Sequence, residues 1–344
     1  MRLLIEAANA SVAIENGRIA EPGGKFDRVI RSSGELRPGL INAHDHLHRN
    51  HYGRLGAPLY SNAPEWANDI QSRYADEIAR GRLMPRRRAL LAGAWKNLLA
   101  GVTHVVHHDS WEREFEEAFP VKVVRIANAD SIANDPQFVP PANAPFALHV
   151  AEGVDDGATA EIPALAAHGL LNCNLLAVHL VAADEAGVAS LRACGCAVVW
   201  CPTSNHFLFG RSLPPALLEE GVDVLLGSDS LLTGAGTLLD ELHIARRRID
   251  GNRLLDAVGQ VAARRLGISA PSLNPGAPAD LVLLRRSVLE ATLDDVLLVA
   301  VEGQLRVLHP DLTPLLNIDG GQMISWRGAT RWISENSVTF QNVY

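Results

Sequence analysis

The run PGLINAHDHLHRN, Pro38 to Asn50, sets His44 and His46 two residues apart at the end of a strand-like apolar stretch. Residues i and i+2 of a strand face the same side, so the two imidazoles can converge on one point and hold a metal. Other apolar runs end in the same kind of residue. GVTHVVHHD closes on His107, His108 and Asp109, PFALHVAE on His149 and Glu152, and NLLAVHLV carries His179. CAVVWCPTSN reaches Asn205, and VDVLLGSDS holds Asp229. Taken singly, His179 reads as a satisfied core histidine and Asp229 as a helix N-cap. Taken together, they read as a metal site, because a random scatter of 13 histidines would not gather at the ends of apolar runs.

Such residues need elements that bring them to one place. Short β-rich runs at 39–44, 101–108, 120–128, 145–152, 174–181, 196–202 and 222–230 alternate with Ala/Leu-rich helical stretches. The helices include RRRALLAGAWKNLLAG, ATAEIPALAAHG, ADEAGVASLRACG, LPPALLEEG, GTLLDELHIARRRI and NRLLDAVGQVAARRLG. Nearly continuous apolar strands between helices mean a parallel sheet covered on both faces. The alternation predicts an α/β fold, a distorted (β/α)8 TIM barrel over 38–272, whose strand C-termini carry the site. Only seven strands are plain. The Pro- and Asn-rich segment 129–144 is expected to hold a degenerate fourth unit. A doubly wound sheet would instead place a Gly-rich nucleotide turn after its first strand, where this chain has histidines. The chain ends, 1–37 and 273–344, are expected to pair into a small β subdomain beside the barrel, from the short strands read within 1–37 and 273–310.

Composition narrows the partners. The chain has 344 residues, 47% hydrophobic and 20% charged, with a formal net charge of −8. That excludes a basic nucleic-acid groove or a polybasic membrane face and leaves a small-molecule substrate. The PRRR cluster at 85–88 reads as a solvated helix face. Cys173, Cys194, Cys196 and Cys201 lack zinc-knuckle spacing and read as reduced, mostly buried thiols of a cytoplasmic protein. The N-terminus lacks the long apolar core of a signal peptide, and no run is long and apolar enough to span a membrane.

The pieces PGLINAHDH, GVTHVV, HVAE, AVHL, CPTSN, LLGSDS and NPGAPADLVLL, in this order, resemble the amidohydrolase superfamily. The similarity is to its branch of cytosine, guanine and S-adenosylhomocysteine deaminases and chlorotriazine hydrolases. That resemblance implies a distorted (β/α)8 barrel with a β-sandwich built from both chain ends. It implies metal ligands at His44, His46, His149 and Asp229, a catalytic glutamate at Glu152, and a histidine, His179, that contacts the attacking water or the substrate. Asp229 would also take the water's proton, which makes it catalytic as well. Relatives are commonly homodimers or larger homo-oligomers.

Some superfamily members bridge two metals with a carboxylated lysine on the fourth strand. The three lysines here are Lys25, before the barrel, Lys96, in a helix, and Lys122, at the wrong end of its strand. One divalent metal is therefore expected, zinc by ligand type, with iron and manganese as alternatives. Expected substrate contacts are His48, Arg49 and His51 on the first loop, Trp66 beyond it, and His107 and His108, of which strand alternation turns one toward the axis. Asn205, His206 and Phe207 follow the seventh strand, and for Trp66 and Phe207 packing is the plainer role.

Three functions compete. The first is an aminohydrolase, or deaminase, converting an amino-substituted N-heterocycle to the oxo product and ammonia. The second keeps the site but hydrolyses a chloro, alkylamino or amide group. The third is a non-catalytic metal-binding scaffold, against which the imidazole-rich, cysteine-free ligand set argues.

Overall fold

The computed structural model describes residues 2–318 and 320–335. Its centre is eight short strands: β1 Leu40–Asp45, β2 Val102–His107, β3 Lys122–Val124, β4 Ala127–Ala129, β5 Phe146–Val150, β6 Leu175–His179, β7 Ala197–Trp200 and β8 Val224–Leu226. They form two all-parallel sheets, in order β1-β2-β3 and β8-β7-β6-β5-β4. The chain leaving β8 returns to β1, where the Asp229 N–H donates to the His44 carbonyl at 3.1 Å. A Cβ on Gly227 would stand 2.6 Å from His44 Cβ, so the approach requires glycine there.

The fourth strand corrects the expectation for 120–128 and 129–144. The run expected as one strand is split at Arg125–Ile126 into β3 and β4, so β4 lies just before the segment expected to hold it. Residues 130–145 are turns and irregular chain up to β5. The third unit has thus lost its helix altogether, and β3 and β4 pair on opposite sides into different sheets.

Three helices fill the interval between β1 and β2: α1 Ala63–Arg73, α2 Ala75–Arg82 and α3 Arg86–Leu99. The first two were not foreseen, although α1 has a legible start in Asn62, whose side chain accepts from the Glu65 N–H, with Pro64 in the first turn. Helix α3 is buried from Ala89 through Leu99. Helices α4 Asp156–Ala167, α5 Glu185–Cys194, α6 Pro202–Phe209 and α7 Leu238–Ala245 follow β5 to β8. LPPALLEEG forms only a 3-10 turn, Pro215–Leu218. The single helix expected at NRLLDAVGQVAARRLG is broken into α8 Gly251–Ala257 and α9 Gln260–Leu266. The break frees the Val258 carbonyl, which accepts from the Ile41 N–H of β1 at 2.9 Å.

The chain ends form two further sheets. One has four strands within residues 3–31, and the other joins Glu35–Pro38 to five strands from 281 onward. Ile5, Val12 and Ile30 of the first meet Leu283, Leu298 and Trp332 of the second in one apolar core. The part of the expected C-terminal segment beyond residue 335 lies outside the described residues. The cysteines are free: Cys196 and Cys201 are buried, Cys194 is half-buried and Cys173 is exposed, so fewer are buried than expected. No helix among the described residues is long and apolar enough to cross a membrane.

Candidate metal centre

The C-terminal ends of β1, β5 and β6 and the loop after β8 converge. The Nε2 atoms of His44 and His46 each lie 3.9 Å from Asp229 Oδ1. His44, His149 and His179 likewise offer nitrogens within 4.8 Å of one another. His179 Nε2 is 3.4 Å from Glu152 Oε1. The backbone takes left-handed φ values at Ala151 (52°), His179 (76°) and Asp229 (50°), none of them glycine. Conformations of this kind cost energy and collect where a side chain must be aimed.

Three imidazoles are oriented from behind. His46 Nδ1 faces Asp109 Oδ2 at 3.2 Å, and His149 Nδ1 faces Asp130, its carbonyl at 2.9 Å and its carboxylate at 3.1 Å. His179 Nδ1 faces Asn205 Oδ1 at 2.7 Å. Each acceptor keeps a proton on Nδ1 and leaves the Nε2 lone pair for a ligand. Asp229 Oδ2 accepts from Ser204 and Thr233 at 2.7 and 2.8 Å, while the Ser230 N–H donates to Oδ1 at 2.7 Å.

Charge follows this geometry. Burial, reinforced by the neighbouring histidines, holds His44 well below the usual imidazole range. Burial, with Arg49 adding to it, does the same to His46. Burial opposes the Asp229 carboxylate, but His46, His179 and the two hydroxyls outweigh it and keep the group ionised. Burial raises Glu152, with Asp229 and Asp130 adding to the effect against His179 and His149. Burial opposes a charged His149, yet Asp130, Glu152 and Asp229 lift it to about 9.

The donors fit a divalent metal. Both ring nitrogens of His44 are buried without a hydrogen-bond partner. Two neutral imidazoles and a carboxylate 3.9 Å apart need little movement to share an ion, since ligands of a tetrahedral zinc stand roughly 3.4 Å from one another.

Beneath the centre runs a polar network that was not anticipated from the sequence. Lys96 Nζ, on α3, donates to the Asp229 carbonyl at 2.7 Å and to Ser228 Oγ at 3.0 Å, and lies 3.0 Å from Asp45 Oδ2. Asp45 also accepts from Asn97 at 2.7 Å and from Asn50 at 2.8 Å. Asn42 donates to Asn97 Oδ1 and to Ser228 Oγ. These residues tie β1 and α3 to the chain after β8. Helical spacing alone had assigned Lys96 to a helix. The apolar neighbours on every side of it, Ala94-Trp95 and Leu98-Leu99, were the available signal of burial.

A cavity of about 830 Å3 lies above these groups. His46, His149, Glu152, His179 and Asp229 form part of its lining, with Arg49 and Trp66 on the wall. Strand alternation resolves the histidine pair. His108 lines the cavity and stacks on His149 at 4.2 Å, while His107 packs against Phe115 and accepts from the Leu47 N–H at 3.2 Å. His107 and Asn205, both expected to touch substrate, do not line the cavity, because each bonds to protein instead. His48 and His51 line a second, neighbouring cavity, and Phe207 stacks under Arg54 at 4.7 Å.

No protein-family model matches the chain. It is 34% identical over 113 residues to aminodeoxyfutalosine deaminase of Deinococcus radiodurans, a match covering 31% of this chain. The chain thus spans 27% of the length of the curated relative it matches. Its fold matches that of the atrazine chlorohydrolase of Arthrobacter aurescens crystallised with zinc, with a TM-score of 0.68 and 16% identity over 92% of this chain and 98% of that one. An adenosine deaminase from Xanthomonas campestris with bound zinc gives a TM-score of 0.64 and 19% identity over 92% of this chain and 96% of that one. Both structural likenesses cover the fold of nearly the whole chain.

Proposed function

We propose that this chain is an amidohydrolase-superfamily enzyme of the deaminase and chlorotriazine-hydrolase branch. It converts an amino-substituted N-heterocycle to the oxo product and ammonia. The two parallel sheets are the arcs of a distorted (β/α)8 barrel over 38–272, and the two chain ends form its β-sandwich subdomain.

His44, His46, His149 and Asp229 hold one divalent metal, zinc by donor type. When bound, the ion supplies a Lewis acid that makes water a nucleophile near neutral pH. Asp229 accepts the proton of the attacking water. Glu152, which burial keeps protonated more readily than an ordinary carboxyl, donates to a ring nitrogen as the water oxygen bonds to the amino-bearing carbon. Glu152 then takes up the proton of the added hydroxyl as the oxo group forms, Asp229 passes the water's proton to the amine, the C–N bond breaks, and ammonia leaves. His179, held by Asn205, accepts from the attacking water through its free Nε2 and so orients it. The observation that carries this reading is Glu152 standing 3.4 Å from His179 beside a set of imidazole and carboxylate donors.

A second reading keeps the site and changes the leaving group to chloride or an alkylamine. The fold shared with an atrazine chlorohydrolase favours it.

Metal analysis of the desalted protein, then an ammonia-release screen over purines, pyrimidines, pterins and triazines, tests both. About one metal per chain with ammonia release supports the deaminase. Chloride or alkylamine release without ammonia selects the second reading. Two metals per chain overturn the mononuclear assignment, and no metal uptake overturns the metal-dependent hydrolase reading.

A further inference from the structure

A second cavity, of about 630 Å3, adjoins the first, and Arg49, Trp66 and Ala67 line both. Its charge is unlike the rest of the molecule. Arg49, Arg82 and Arg86 line it and no carboxylate does, in a chain of net charge −8. Its other walls are apolar and aromatic, with Ile70, Ile78, Leu232 and Tyr52 packed together against Trp66.

The three guanidiniums are not equally engaged. Arg86 is held by Glu112, and Arg82 donates to Gln71 at 3.0 Å. Arg49 makes a single long approach, 3.6 Å to Asp109 Oδ2, outside hydrogen-bond range, and its side chain is 32% exposed at the junction of the two cavities. Its donors are therefore available. Burial raises the Tyr52 phenol while Arg82 and Arg49 pull it back, so both cations act on one point of the cavity wall.

A planar guanidinium with unspent N–H groups beside apolar walls suits an oxyanion carried on an apolar arm. We propose that the second cavity is an anion-binding extension of the active site, and that the substrate carries a carboxylate or phosphate on an apolar or aromatic arm passing Trp66 to reach Arg49 and Arg82. This rests on the hydrolase reading for the reacting end alone. The anion site is defined by its own residues.

Direct binding to the metal-loaded protein tests it without turnover. Benzoate, phenyl phosphate and neutral benzamide are titrated calorimetrically into wild type, Arg49→Gln, Arg49→Lys and Arg82→Gln. Both anions are expected to bind at least ten-fold more tightly than benzamide. Each Gln variant should lose about ten-fold in anion affinity, and Arg49→Lys should recover part of the loss. Arg82 does not line the first cavity, so a loss there separates this site from benzoate sitting on the metal. Tighter benzoate assigns a carboxylate arm, and tighter phenyl phosphate assigns a phosphate. Equal affinity for benzamide and the anions, or anion affinity unmoved by both Gln variants, overturns the proposal. Anion binding that meets these criteria in a protein that releases no ammonia from any heterocycle would leave the anion site standing and remove only the deaminase reading.

Discussion

Lys96 Nζ and Asp45 Oδ2 lie 3.0 Å apart with side chains 1% and 0% exposed, and Asp45 is the residue between His44 and His46. The pair sits under the metal donors as a strut. Lys96 also holds the carbonyl of Asp229, whose left-handed backbone aims the carboxylate. Removing one partner of such a pair costs about 3–5 kcal/mol because the other charge stays buried. Lys96→Met should show this in urea unfolding, with weaker turnover as Asp229 loses its donor. Burial already raises the Asp45 carboxyl against the pull of Lys96, so the variant lets it rise further. The folded state then holds a proton that the unfolded state releases, and stability falls as pH rises. The deficit of Lys96→Met should therefore grow as pH rises above the usual carboxylate range. Lys96→Met with Asp45→Asn should cost less than the two singles summed. A single variant as stable as wild type would show the strut to be dispensable.

Glu152 is the test of chemistry. Glu152→Gln keeps the shape and removes the titrating proton, so metal content should stay at the wild-type level while turnover falls about 10²–10⁴-fold. Single-turnover assays with metal analysis on the same sample read both. Near-normal turnover would remove Glu152 from the mechanism.

How much of this was legible in the sequence depended on whether a signal was local. His44 and His46 share a face by strand periodicity, and the polar ends of the apolar runs located Glu152, His179 and Asp229 without any knowledge of contacts. The residues that orient them are distant in sequence from the groups they hold: Asp109 was marked as the end of an apolar run and Ser204 lies in CPTSN, but neither could be paired with His46 or Asp229 from sequence, and Asp130 was not marked at all. Asn205 was legible as a site residue but was given the wrong task, because sequence cannot tell a side chain facing substrate from one facing His179. Lys96 was discounted as helical, and only packing reveals that its helix face points beneath the centre. The β3–β4 split escaped notice because two three-residue strands separated by two residues look like one strand to an alternation count.

The carboxylates behind the ligands should control metal affinity. Asp109 faces His46 Nδ1 and Asp130 faces His149 Nδ1. Replacing either by Ala removes the acceptor that fixes the tautomer, at a typical cost of about 10–100-fold in affinity. Chelator competition with zinc measures it. An unchanged affinity in both variants would mean that the rings are held by packing alone.

Metal binding should also be proton-linked. His149 is lifted to about 9 in the metal-free protein, chiefly by Asp130 working against burial. A protonated imidazole cannot bind through the nitrogen it would need, so uptake expels a proton. Zinc affinity should rise with pH up to about 9 and then level off. Asp130→Ala removes the main support for that proton, so the rise should level off at lower pH. Calorimetry in buffers of different ionisation enthalpy counts the protons, and a count of zero at pH 7 would show that His149 carries no extra proton before uptake.

Removing the metal should loosen the fold as well as silence it. His44 is fully buried with both ring nitrogens unpartnered, so without an ion the centre keeps polar atoms out of water with nothing bonded to them. An ion binding only the folded state adds RT ln(1 + [L]/Kd), about 4 kcal/mol at a thousand-fold excess over Kd. Chelation should therefore lower Tm by several degrees, and zinc should restore it. Asp229→Asn weakens the ion's hold while leaving an acceptor for Ser204 and Thr233. Its Tm should start lower or higher than wild type by little, yet respond much less to chelator or zinc. A variant that still gained the full zinc-dependent increase would show that Asp229 is not a ligand.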